Sequence, residues 1–196
     1  MARDIHPLFA VRGPPGTHDL NLMAGVLAAL EAAGPDTETP LPAFDKLADD
    51  RVPPHAWPRH RGRPAVVLVD GWRLGALPQG EAALAEPVNA LERSQDEAGI
   101  WRRAVNRFLA RDRALLDDRL DALLFLKAPD CETVLDWRHQ QQAGLLGLAP
   151  EALPQTERAR MAAFIAHFER LTRHMLADGV RADVAVSLDI NRCPLV

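Results

Sequence analysis

The stretch RGPPGTHDLN, residues 12–21, decides how the rest of the chain is read. Its opening, Gly-Pro-Pro-Gly-Thr, starts like a phosphate-binding loop. Such a loop needs glycines whose backbone N–H groups wrap the phosphates, a Lys to neutralise charge and a Ser or Thr hydroxyl for magnesium. Aligned on Gly13 with the pattern G-x-x-x-x-G-K-[ST], the chain puts His18 at the second glycine, Asp19 at the lysine and Leu20 at the hydroxyl position. A carboxylate facing a triphosphate repels it. The segment therefore reads as a tight turn entering a helix, with Thr17 placed as the cap and Asp19 in the first turn. Turn chemistry alone explains such a segment. A helix N-terminus with open N–H groups also suits an anionic ligand.

Working outward, residues 19–33 form an Ala- and Leu-rich helix closed by Gly34-Pro35. Two unbroken apolar runs, AVVLVDG (65–71) and ALLFLKAP (122–129), and the partly alternating DVAVSLD (183–189) predict strands covered on both faces. Helical periodicity marks residues 97–120, through Ile100, Trp101, Val105, Phe108 and Leu109. It also marks residues 155–177, through Met161, Phe164, Phe168, Leu171 and Met175, and a further helix from about 131 to 146. Strands alternating with helices predict a single α/β domain with a parallel sheet. Residues 34–64, rich in proline and charge, read as a long irregular excursion, a feature that is often functional in a compact domain.

The bulk properties exclude several classes. With 196 residues, 47% hydrophobic and 26% charged, the chain has an ordinary globular composition. Its net charge is −4 and its basic residues are dispersed, so no nucleic-acid surface is expected. Cys131 and Cys193 are widely separated and have no zinc-ligand spacing, as for reduced thiols. No apolar run reaches the ~18 residues of a membrane span, and MARDIHPLF has no signal-peptide core, so a cytoplasmic location is expected. The seven histidines form no metal-ligand spacing, and no nucleophile motif is present.

Longer motifs carry a resemblance. HPLFAVRGPPGTHD (6–19), FDKLADDR (44–51), VVLVDGW (66–72), PVNALE (87–92), LKAPDCETVLDWRHQQ (126–141), FIAHFERLTRHML (164–176) and ADVAVSLD (182–189) follow in order along nearly the whole chain. Together they resemble the D-glycerate 3-kinase-like family of P-loop kinases, distant relatives of uridine kinases and phosphoribulokinases. The resemblance implies an Mg-ATP-dependent phosphotransferase acting on a hydroxyl of a small, glycerate-like acceptor. It places Arg12, Gly13, Gly16, Thr17, His18 and Asp19 on the acceptor side. Lys46, Asp50 and Arg51 match the family's FDK-x-x-DDR pattern and would hold an acceptor carboxylate or the moving phosphoryl group. Asp70 stands where the Walker B strand carries an acid working on magnesium through water, usually a Glu in the family. Trp72 would wall the acceptor pocket, and Arg138 would close with a lid over the transferring group. The bland alternatives are a turn cap for Asp70, a core position for Trp72, a solvated charge run for 46–51 and a helix-surface role for Arg138.

The resemblance also implies a preceding segment with the Walker A strand and loop, which has no match in these 196 residues. The expected fold is therefore an incomplete P-loop NTPase-like parallel sheet with flanking helices and the central Walker A strand absent. Unpaired strand edges of that kind call for self-association or a protein partner. One expectation is a kinase inactive as these residues stand. The other is a non-catalytic remnant, or half of a split enzyme, that binds a partner.

Overall fold

The computed structural model describes residues 2–45, 48 and 50–195. Its elements are α1 (Ala2–Ile5), α2 (Leu20–Ala32), β1 (Glu38–Pro40), β2 (Phe44–Asp45), β3 (Asp50–Arg51), β4 (Arg59–Arg61), α3 (Ala90–Gln95), α4 (Ile100–Leu115), β5 (Leu124–Lys127), α5 (Cys131–Leu145), α6 (Gln155–Leu176) and β6 (Val184–Ser187). The chain divides into two compact units, residues 1–18 with 72–196 and residues 19–71.

In the first unit the core is helical. Leu8, Phe9, Trp101 and Ala104 form one cluster, joined by Leu91, Val105 and Phe108. Ala76, Leu109, Leu171 and Met175 form a second, joined by Phe125 and Val180. The two clusters share α4, whose Trp101, Ala104 and Leu109 are spaced for one face. Phe9 meets the Trp101 and Phe108 rings edge-on at 6.4 and 5.7 Å, the arrangement aromatic quadrupoles favour.

Charges are buried between these helices. Glu92, fully buried, takes Arg170 Nε and Nη2 at 2.8 and 2.7 Å and accepts the Val88 amide at 3.0 Å. Asn89 caps α3 by accepting the Glu92 amide, and its own amide donates to Ala166 O and Glu169. The PVNALE motif is thus a capped turn that plants a carboxylate under α6. Asp96 accepts the Trp101 and Arg102 amides at the start of α4 and pairs with the buried Arg102 guanidinium at 3.2 Å.

β5 and β6 pair in parallel, Leu124 with Val184 through Lys127 with Ser187, on either side of α5 and α6. The expected strands at 122–129 and 183–189 are therefore present, but not covered on both faces. Phe125 packs on the second cluster, while Leu124, Leu126 and Val184 are each more than half exposed.

In the second unit β1 and β4 pair antiparallel, as do β2 and β3. Trp57 Nε1 donates to Val52 O at 2.6 Å, and Leu41 N to Pro58 O at 2.8 Å. The segment 34–64, read from sequence as an irregular excursion, thus carries two short ladders. The expected strand at 65–71 does not form. No described segment makes backbone hydrogen bonds to residues 65–71, and Val66 and Leu68 are 72% and 92% exposed. An apolar run becomes a strand only when a neighbour satisfies its N–H and C=O groups.

Candidate functional site

The turn at 12–18 is built inward. Thr17 Oγ1 accepts the Gly13 amide at 2.8 Å and donates to Pro14 O at 2.7 Å, while Thr17 N reaches Pro14 O at 3.2 Å. Gly13 and Gly16 both sit at positive φ, 132° and 93°, where a side chain is strained. A Cβ on Gly13 would lie 2.5 Å from the Phe168 ring, and one on Gly16 would enter the Phe108 ring. The glycines let the turn lie flat on two aromatic rings. Trp72 holds it from another side, donating from Nε1 to Gly13 O at 3.3 Å and meeting Phe168 edge-on at 5.1 Å. Trp72 is 38% exposed, so it is a clamp on the turn rather than a core residue.

This geometry tests the fit of a triphosphate, and the turn does not fit. Pro14 and Pro15 carry no N–H, and those of Gly13 and Thr17 are spent within the turn. Thr17 is also not the helix cap. That role falls to Asp19, whose carboxylate accepts the Leu22 amide at 3.0 Å. A proline-stiffened turn that consumes the Thr17 hydroxyl moves the cap two residues on.

Behind the turn lies a charged group that the motifs did not signal. Arg73, 8% exposed, pairs with the buried Asp112 at 3.1 Å. Asp117 accepts the Gly75 amide at 3.2 Å beside it. Burial lowers the Arg73 pKa, opposed by Asp112 and Asp117, and burial raises that of Asp117. His18 feels the same environment. Burial first, then Arg73 and Arg12, push its pKa below the ordinary imidazole value, with Asp112 opposing. Its Nδ1 is buried and meets no hydrogen-bond partner. Arg12 is exposed.

The remaining candidates fall elsewhere. In the second unit Arg51 Nη1 reaches Asp19 Oδ2 at 3.1 Å, uniting two sequence candidates, and Asp50 accepts the Arg51 amide at 2.7 Å. Lys46 lies outside the described residues. Asp70 is exposed and makes no hydrogen bond or ion pair with the described residues, so it does not cap a turn. In the first unit Arg138 lies on α5, bonded to Gln141 and 5.8 Å from the Phe164 ring centre, and its Nε is buried without a hydrogen-bond partner among the described residues. Among the described residues no three His, Cys, Asp or Glu gather as a metal-ligand set, and no helix is long and apolar enough to cross a membrane.

No family model matches the chain. It is 27% identical over 205 aligned positions to an uncharacterized kinase, mug58, of Schizosaccharomyces pombe, spanning 97% of this chain and 70% of that one. It is 26% identical to the chloroplastic D-glycerate 3-kinase of Arabidopsis thaliana over 96% of this chain, which is 41% of the relative's length. The solved D-glycerate 3-kinase of Cryptococcus neoformans superposes on all of the chain with a TM-score of 0.75, at 22% identity and over 71% of its own length. The protein is thus kinase-like, of mixed α/β architecture. Its named homologues include D-glycerate 3-kinase, and the alignments span nearly the whole chain.

Proposed function

We propose that these residues form the acceptor-side part of an ATP-dependent small-molecule kinase that phosphorylates a hydroxyl of a glycerate-like acid. The observation that carries this reading is the 12–18 turn. It is locked by Thr17, seated on Phe108 and Phe168, and its His18 feels the charges of Arg12 and of the buried Arg73–Asp112 pair. Such positive groups suit a carboxylate or phosphate oxygen. Kinase homologues imply Mg-ATP, but no residue set described above fits its phosphates. Asp70, the Walker B candidate for magnesium through water, and Arg138, the lid candidate, stay assigned by resemblance alone.

These 196 residues are expected to bind D-glycerate but neither to hold Mg-ATP at micromolar affinity nor to transfer phosphate on their own. Calorimetry with each ligand, and a γ-phosphate transfer assay, test this. Tight Mg-ATP binding or measurable transfer would overturn it. The open apolar sides of Leu124, Leu126 and Val184 favour a second reading, a non-catalytic remnant or split-enzyme half whose β5–β6 pair is covered by a protein partner. Covered edges in a purified complex, with no D-glycerate binding, would favour that reading.

A further inference from the structure

The ring of His18 has two unlike nitrogens. Nδ1 is buried and finds neither donor nor acceptor in the chain. Nε2 has no partner among the described residues either, yet it is not among the buried unpartnered atoms of this half-buried side chain, so it reaches the surface. Charging the ring would place an N–H at Nδ1 with nothing to accept it, which buried donors avoid. It would also add a cation beside Arg73 and Arg12, the first of them buried and held in place by Asp112. A neutral imidazole still has one N–H to place. A buried donor without an acceptor is costly, so the proton belongs on Nε2 and the lone pair on buried Nδ1.

We infer that His18 is a neutral hydrogen-bond donor, with the lone pair on Nδ1 and the proton on outward-facing Nε2, and that this N–H together with Arg12 takes an anionic oxygen of the acceptor acid. Arg73 and Asp112 are positioning residues: they fix the form of the ring and touch no ligand. This rests on the acceptor-side reading above and gives it an atom. It also makes recognition insensitive to the pH range in which a free imidazole gains its proton. Arg12, Arg73 and Asp112 are the charged groups acting on the ring, and Asp117 acts on Arg73. A histidine that switched on protonation would need the opposite surroundings, with a carboxylate at Nδ1.

Long-range nitrogen–proton NMR on the 196-residue chain reads the tautomer directly, with the His18 signals assigned by their loss in His18→Gln. The expected spectrum at pH 7 shows bare Nδ1 and protonated Nε2, and the ring charges only below the ordinary midpoint of about 6.5. A proton on Nδ1, or an imidazolium at pH 7, overturns the inference without any variant or ligand. Arg73→Lys is expected to keep the wild-type tautomer, whereas Arg73→Met raises the titration midpoint. If neither substitution moves it, Arg73 is not the positioning residue. D-glycerate is the probe for the second half. Saturation should shift the Nε2 resonance, and His18→Phe should weaken binding about tenfold or more, as for one lost bond to a charged group. Binding that leaves the His18 signals unmoved refutes the donor role. No binding at all refutes the acceptor-side reading, while the ligand-free tautomer still decides the state of the ring.

Discussion

Replacing Glu92 by Gln should cost more stability than any surface change in this chain. The Glu92 carboxylate is fully buried and takes two bonds from Arg170 at 2.7 and 2.8 Å, and Arg170 is itself only 8% exposed. The amide keeps the shape but removes the charge and turns an N–H₂ toward a guanidinium. Breaking a buried pair from one side costs about 3–5 kcal/mol, because the other charge stays in the interior. Here Ala83 O still accepts from Arg170 Nη1 at 2.7 Å, which places the expected loss near the lower figure, about 3 kcal/mol. A domain has only ~5–15 kcal/mol in total. With a urea slope of about 2 kcal/mol per molar, the midpoint should fall by about 1.5 M. Trp101, 2% exposed in the adjoining cluster, reports the transition by fluorescence. Arg170→Met should cost a similar amount, and the double variant Glu92→Gln with Arg170→Met should cost less than the sum by about 2 kcal/mol. A loss under about 1 kcal/mol for Glu92→Gln, or simple additivity, would refute the claim that this pair acts as a unit.

Gly16→Ala should destabilise by about 2–3 kcal/mol, combining positive-φ strain with intrusion into the Phe108 ring; a loss below about 0.5 kcal/mol in urea unfolding would show that the ring moves away freely. The lowered pKa of His18 means that the unfolded chain takes up a proton first as pH falls, so stability is lost from about 6.5 downward until the folded ring also charges. Wild type should therefore lose more stability than His18→Gln between pH 7.5 and 5.5, by at most about 1.4 kcal/mol per pH unit, and parallel curves would contradict this. Burial pushes the Cys131 thiol up to about 11, so at pH 8 iodoacetamide should label Cys131 about two orders of magnitude more slowly than a free thiol, while exposed Cys193 labels readily; mass spectrometry of the peptides decides. Asp130→Ala should remove the α5 cap that accepts the Thr133 amide, costing about 1 kcal/mol in thermal unfolding, and an unchanged midpoint would contradict it.

Local periodicity made the long helices legible. Residues 155–177 were expected to be helical and α6 runs Gln155–Leu176, because one apolar face repeating every turn is written in neighbouring letters. The strands at 122–129 and 183–189 were legible as short apolar runs, but their pairing with each other was not, because it depends on residues far apart in the chain. The outcome at 65–71 was not legible, since its letters state an apolar segment but not whether a neighbour exists to pair with it. Prolines in 34–64 masked β1 and β4, whose ladder has Pro40 as its last residue. In the site, Gly13, Gly16 and Thr17 were visible as turn chemistry. Arg73 was not, because its burial depends on Asp112 and Asp117 from distant α4 and the turn after it, and a charged residue beside Trp72 gives no sign of that. A hint was available in PVNALE, where an acid inside an otherwise apolar, capped turn implies a buried partner, found 78 residues away in Arg170.

The central claim is that the turn at 12–18 faces a hydroxy acid. A crystal structure of the chain with D-glycerate tests it most directly. The carboxylate or a hydroxyl oxygen is expected within hydrogen-bonding distance of His18 Nε2, with the Arg12 guanidinium on the same group. D-glycerate bound away from residues 12–18, with His18 Nε2 left to solvent, would contradict it.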